Sequence, residues 1–164
     1  MSILIRPAVA ADVAPILEIT NHAILCTTAI YDYDPRTLAF QQAWFDSRLN
    51  SGFPVFVAQV DHRVVGYASY GMFRERQAYR TTAEHSVYVA EGFSGRGIGG
   101  KLLVALIDHA KKSGIHSLVG GIDAANTDSI RFHEKYGFER AGLIREVAFK
   151  FDRWLDLVFM QKIL

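Results

Sequence analysis

Apolar residues recur along this chain with two periods, and the switches between them lay out its elements. Ile3 and Ile5 alternate with their neighbours and predict a short first strand. Val13, Ile16, Leu17, Thr20 and Ile24 return at helical spacing, with Asp12 placed as the cap and Pro15 inside the first turn. Asp34-Pro35 reads as a cap followed by proline at the first helical position, opening a second helix through Trp44 and Leu49. Segments 54–60 and 63–70 are strand-like and flank Asp61-His62, a hairpin turn. Residues 81–90 are again extended. Ile98, Leu102, Leu103, Leu106, Ile107 and Ala110 then share one face of a helix running to Lys112. Residues 117–122 read as a buried strand, and 126–136 as a helix closed by Gly137. Residues 140–151 and 154–160 make the last strands. Neither an internal repeat nor a linker interrupts this order, so residues 1–164 read as one α/β domain.

Composition narrows the function classes. A net charge of +1 with no basic run argues against a nucleic-acid partner. No apolar run approaches the roughly 18 residues of a membrane span. The first seven residues lack a basic segment followed by a long apolar one, so no signal peptide is expected. The single cysteine, Cys26, has no intrachain partner for a disulfide, which agrees with a cytoplasmic setting. Its apolar helical neighbours suggest a small buried residue rather than a nucleophile. The six histidines show no metal-ligand spacing, and no metal is expected. No G-x-S-x-G elbow marks a serine hydrolase.

Candidate chemistry begins at Ser94-Gly95-Arg96-Gly97-Ile98-Gly99-Gly100, with four glycines in six residues between a strand and a helix. Such a turn leaves bare backbone N–H groups at a helix N-terminus, a site suited to phosphate or pyrophosphate. A Rossmann reading fails on position, because that fold opens with its glycine turn and this one follows a run of strands. A Walker A reading fails at Leu102, where Mg²⁺ binding requires Ser or Thr.

The loop resembles instead the pyrophosphate turn of the GNAT family of N-acetyltransferases, [Gln/Arg]-x-x-Gly-x-[Gly/Ala], with Ser94 departing from the first position. Stretches 73–89, 126–138 and 150–156, ending in Trp154-Leu155-Asp156, resemble the phosphinothricin and methionine-sulfoximine acetyltransferase branch. The resemblance implies an α/β (α+β) GNAT fold, a mixed, mostly antiparallel sheet of about seven strands flanked by about four helices. It implies acetyl-CoA as donor, a small amino acid or analogue as acceptor, and a homodimer. Pantetheine is then expected along the edge of Val87-Tyr88-Val89, with the pyrophosphate on Ser94 to Gly100, including Arg96 and Ile98. Asn126 and Ser129 share a helix face with His133, and the resemblance puts the first two against the pantetheine arm, although an N-cap and a solvent face account for them equally simply.

Attack on a thioester requires a neutral amine, so an ammonium with a pKa of roughly 8 must lose a proton. Glu84 is the candidate base, sharing a strand face with Ser86 and Tyr88; its bland alternative is an ion pair with Arg80 or Arg76. Tyr136 and His133 are candidates for returning a proton to the departing thiol, and both also suit packing. Arg74, Arg76 and Arg80, with Tyr79 among them, suit the anionic groups of an amino-acid acceptor, or merely a solvated turn. Ile30 and Tyr31 suit an apolar wall for the acceptor side chain, or core packing. Two other readings remain at this point: acetylation of a different amine (polyamine, aminoglycoside or peptide N-terminus), or a non-catalytic acetyl-CoA-binding module.

Overall fold

The computed structural model describes residues 2–164, and Met1 lies outside the described residues. Its strands are β1 (Leu4–Pro7), β2 (Val55–Val60), β3 (Arg63–Met72), β4 (Thr82–Val89), β5 (Ser117–Asp123), β6 (Glu139–Lys150) and β7 (Arg153–Ile163). They form one seven-stranded sheet in the order β1-β2-β3-β4-β5-β7-β6. Hairpins dominate because two-residue turns join neighbours: Asp61-His62 and Phe151-Asp152 both take positive φ, the conformation that matches the twist of paired strands. The exception is β4 and β5, which run parallel and pair only at Thr82↔Ser117, Ala83↔Leu118 and Glu84↔Val119. Past Glu84, β4 continues along β3 to Val89 while β5 continues along β7 to Asp123. A wedge opens between them, and the site lies in it.

Helices cover both faces. On one side α1 (Val13–Cys26) and α2 (Leu38–Asn50) close over Ile16, Phe45, Val57 and Tyr67. On the other, α3 (Ile98–Lys112) and α4 (Thr127–Lys135) supply Leu102, Leu103, Leu106 and Ile130. The apolar stripe expected from the sequence for α3 is the stripe it buries. β3 is buried along nearly its whole length because it is covered on both faces, which explains its unbroken small and apolar run.

Local expectations differ from the structure at three places. Asp12 does not cap α1; its carboxylate accepts from Arg6 at 2.6 Å and from the Val9 amide at 2.8 Å, closing the preceding 3-10 turn. α2 begins at Leu38 rather than beside Pro35. Its cap is Thr37, whose hydroxyl accepts from the Phe40 amide at 3.1 Å. The delay has a cause: the Asn21 side chain accepts from the Arg36 amide (2.7 Å) and donates to the Arg36 carbonyl (3.0 Å), holding that residue out of the helix. Cys26 is exposed at the end of α1 rather than buried. Apart from these differences, β6 leaves Leu143, Ile144, Val147 and Phe149 exposed.

Thr37→Ala should lower unfolding stability by about 1 kcal/mol, the usual cost of a lost hydroxyl cap. A urea denaturation midpoint shifted down with an unchanged slope checks this; an unchanged midpoint contradicts the capping role.

Candidate active site

The alternation of β4 sorts its side chains. Val87 and Val89 pack toward α3, while Glu84, Ser86 and Tyr88 face α1 and α2. Alternation also sorts the backbone. Phe73 N donates to Thr82 O (3.4 Å) and Ala90 N to Val65 O (2.8 Å), so even-numbered residues of β4 bond to β3. The amides of Val87 and Val89 therefore point into the wedge, where β5 has turned away. The amide of Tyr88, expected on that open edge from the sequence, turns to β3 instead.

The wedge holds a cleft of about 330 Å³ bounded by Glu84 to Tyr88, Gly120 to Asp123, the segment Thr28 to Tyr31, and Asn126, Ser129 and His133 of the α4 region. Glu84 is half-buried, and burial pushes its pKa up; Arg74 and Arg48 pull it partly back. It forms no ion pair with Arg76 or Arg80. Those two arginines flank the 3-10 turn Gln77–Tyr79, are exposed, and border neither this cleft nor the smaller cavity beside it. Arg74 lies over the Phe73 ring, and Tyr79 packs edge-on to the same ring. Ile30 and Tyr31 do wall the cleft. The Tyr31 hydroxyl is buried with no partner, and burial together with the Asp123 charge raises its pKa. Burial also works against Asp123, but bonds from Thr28 (2.7 Å), the Ala125 amide (3.1 Å) and Arg153 (2.7 Å) hold its pKa below the usual range.

Asn126 caps α4 by accepting from the Ser129 amide at 3.1 Å, and both residues border the cleft, so capping and lining coexist. His133 is buried. Its Nδ1 donates to the Ser129 carbonyl at 2.7 Å, which fixes the tautomer and leaves Nε2 to accept. His85 Nε2 sits 3.0 Å away and donates to it. Gly120 makes room for this pair: a Cβ there would lie 2.8 Å from His85 Cε1. Burial, and then the neighbouring His133, push the His85 pKa down to about 3; burial lowers His133 as well. Both imidazoles are neutral. His85 was not singled out in the sequence, since a strand histidine there reads as packing.

The glycine loop forms a second cavity of about 460 Å³, lined by Ser94, Gly95, Gly97, Gly99 and Gly100 and meeting the first cleft at Val87 and Ser129. Gly97, at φ 77°, is the N-cap of α3, and its carbonyl accepts from the Lys101 amide at 3.2 Å. The amides of the first turn of α3 have no intrahelical partner and face an anion's place. Arg96 lies over the Phe93 ring at the loop's edge. Tyr136 borders this cavity rather than the Glu84 cleft. Its hydroxyl occupies the space a Cβ at Gly100 would need. An open strand edge running into a backbone-lined anion cradle fits the two halves of acetyl-CoA: amides for pantetheine, and loop N–H groups for pyrophosphate.

The histidine pair makes folding pH-dependent. Both folded-state pKa values lie below the ordinary 6.5, so the unfolded chain takes up protons first and stability falls with pH from about 6.5 down through the range ending near 3 for His85. The slope is at most about 1.4 kcal/mol per pH unit for each histidine. Urea melts between pH 7 and 4 should show His85→Asn losing less stability on acidification than the parent; equal losses contradict a neutral buried pair.

Comparison with known proteins places this geometry. Residues 16–138 match the acetyltransferase (GNAT) family. The chain is 48% identical over 162 residues, covering 98% of its length and 94% of the relative's, to an L-methionine sulfoximine/L-methionine sulfone acetyltransferase of Pseudomonas aeruginosa. A phosphinothricin acetyltransferase from Sinorhizobium meliloti, solved in complex with acetyl-CoA, superposes with a TM-score of 0.97 at 37% identity, over 100% of this chain and 89% of that one. A ribosomal-protein-alanine N-acetyltransferase from Brucella melitensis does so with a TM-score of 0.97 at 46% identity, over 98% and 99%. With the wedge, the cradle and these relatives in agreement, the chain belongs to the GNAT acetyltransferase family.

Proposed function

We propose that this chain, as a single acetyltransferase domain over residues 1–164, transfers an acetyl group from acetyl-CoA to the α-amine of a small amino acid of the methionine sulfoximine, methionine sulfone or phosphinothricin type. The observation that carries the reading is the half-buried Glu84 at the point where β4 leaves β5, between an open strand edge and a cleft walled by Ile30 and Tyr31. The Pseudomonas aeruginosa and Sinorhizobium meliloti relatives support the acceptor class.

Acetyl-CoA supplies the acetyl group already activated as a thioester. The amides of Val87 and Val89 hold the pantetheine arm as a neighbouring strand would, and one of them is placed to polarise a carbonyl in the wedge. Ser94 to Gly100 hold the pyrophosphate through the backbone, with Asn126 and Ser129 bordering the arm between the two sites. Glu84 removes the proton from the acceptor ammonium, directly or through one water. Its burial suits this task, because a carboxyl raised toward the working pH accepts a proton more readily. Of the two residues considered for returning a proton to the departing thiol, His133 borders the same cleft as Glu84 and Tyr136 does not. But the His133 Nε2 accepts from His85 and its Nδ1–H is held by the Ser129 carbonyl, so the proton that reaches the thiolate is the one Glu84 has taken from the ammonium.

The chain acts as a homodimer in this reading. Leu143, Ile144, Val147, Phe149 and Trp154 are exposed apolar residues of the β6–β7 hairpin that a second copy would cover. No helix among the described residues is long and apolar enough to cross a membrane. We infer a cytoplasmic setting, where acetyl-CoA is made available to such enzymes.

A thiol-release assay over methionine sulfoximine, methionine sulfone, phosphinothricin, polyamines and alanine-initiated peptides tests the reading, which requires release with the amino acids and falls if only the other amines react. Glu84→Gln should lower kcat by about 10²–10⁴-fold while the acetyl-CoA Kd changes by no more than about twofold. In the parent enzyme kcat/KM should drop as pH falls through a Glu84 pKa above the ordinary 4.5. Unchanged turnover in Glu84→Gln removes it as the base.

A further inference from the structure

We propose that Arg36 and Arg48, neither of which belongs to the arginine-rich turn at 74–80, form the subsite that takes the free α-carboxylate of the acceptor. The inference rests on the amino-acid acceptor proposed above and assigns it a recognition site.

A side chamber of about 120 Å³ lies beside Glu84. Glu84, Ser86, Tyr88 and Ile30 border both spaces, so the chamber adjoins the main cleft at these residues. Two guanidinium groups, Arg36 and Arg48, border the chamber. Arg48 is half-buried, reaches over Gly71 from α2, and lies near the Trp44 and Phe53 rings, 5.7 and 5.9 Å from their centroids. Its guanidinium has no ion pair or hydrogen bond among the described residues. A side chain at Gly71 would fill the place of its guanidinium, and Gly71 is the β3 residue opposite Glu84. The cation is thus seated beside the base without being neutralised by it.

Arg36 is placed with equal care. The Asn21 side chain grips its backbone N–H and C=O, its Nη2 donates to Asp32 at 3.0 Å, and its Nε is buried with no partner. A guanidinium nitrogen kept from water without an acceptor is costly unless something fills the site. Arg36, with this unpartnered nitrogen, and Arg48, with no ion-pair partner, border one small chamber and together define a site for a compact anion; a carboxylate matches guanidinium geometry.

Chemistry decides which anion it is. In an α-amino acid a single carbon separates the ammonium from the carboxylate. An amine delivered to Glu84 therefore brings its own carboxylate within one residue's reach, into the chamber that Glu84 itself borders. The side chain then extends the other way, toward Tyr31, which borders the main cleft and not the chamber. A peptide N-terminus presents an amide at the same place and leaves Arg48 without an anion and the Arg36 Nε without an acceptor, so the subsite separates free amino acids from peptides.

The test compares methionine sulfone, whose side chain is uncharged, with its α-carboxamide. The parent enzyme should prefer the free acid by roughly 100-fold or more in kcat/KM, the scale on which a site built for a hydrogen-bonding group rejects an analogue lacking it. Arg48→Gln should raise KM for the acid at least about tenfold, against a small change in kcat, and collapse the acid-to-amide preference toward one. Arg48→Lys should restore part of the preference. Arg36→Gln, in the loop before α2, should move the same ratio in the same direction and serves if Arg48→Gln does not fold. A preference for the acid that survives both Gln variants overturns the subsite while leaving the acceptor class intact. Loss confined to phosphinothricin, with methionine sulfone unaffected, also overturns it, because the arginines would then read the side-chain phosphinate. A parent enzyme that acetylates alanine-initiated peptides and neither sulfone compound refutes the acceptor reading and the subsite with it.

Discussion

Everything in this site follows from the three-residue length of the β4–β5 pairing. Had the two strands stayed together past Glu84↔Val119, Val87 and Val89 would spend their amides on β5, and no cleft would exist. The parting costs backbone hydrogen bonds in the middle of a sheet, where an unpaired N–H is expensive. It is sustained because each strand keeps its other neighbour: β4 pairs with β3 as far as Val89, and β5 with β7 as far as Asp123. Crossing from one strand to the other through α3 also places the helix N-terminus at the far end of the same opening. One topological decision thereby creates the amide edge, the glycine cradle and the seat of Glu84.

The electrostatics of the wedge are those of a site built around neutral and unpaired groups. The His85–His133 pair is uncharged because both rings are buried and each satisfies the other. The Tyr31 hydroxyl, the Arg36 Nε and the His85 Nδ1 are buried without partners. A stable core avoids such atoms, and these three lie on the walls of adjoining spaces, whereas the fully buried Gln41 amide, also without a partner, lies apart from them. Asp123 shows the contrast. It borders the same cleft, but three bonds hold it charged and occupied, so it anchors the end of β5 and the β6–β7 turn rather than taking part in proton transfer.

How much of this could be read beforehand depended on whether the cause was local. The α3 stripe, the Asp61-His62 turn and the glycine loop are fixed by spacing within a few residues, and each stands where the sequence put it. The face shared by Glu84, Ser86 and Tyr88 follows from strand alternation alone. What escaped was set by distant partners. The start of α2 moved because Asn21, far back in α1, grips Arg36. Arg48 looked like an ordinary helix residue, and only the absence of a side chain at Gly71 gives it a seat. A faint signal existed: α2 buries Gln41 beside Phe45, so its inward face is more polar than a packing face requires. His133 and Tyr136 stand close in sequence yet border different cavities, a separation set by the end of α4 and invisible to spacing.

Lys150 links the exposed hairpin to the acceptor wall, and its chemistry says how rigid that link is. Its ammonium is buried at the end of β6 and donates to the carbonyls of Ile24 (2.6 Å), Thr27 (2.8 Å) and Ile30 (2.6 Å). All three donors of the group are thus used on one segment, the last turn of α1 and the strand-less stretch that carries Ile30 and Tyr31. Burial lowers its pKa, so its charge is kept by the geometry of these carbonyls rather than by a carboxylate bonded to it. A neutral side chain of similar length could fill the space but not tie three carbonyls to one atom. The stretch that carries Ile30 and Tyr31, proposed as the acceptor wall, is therefore tied to β6, the strand proposed to meet a second copy, through one nitrogen and three carbonyls.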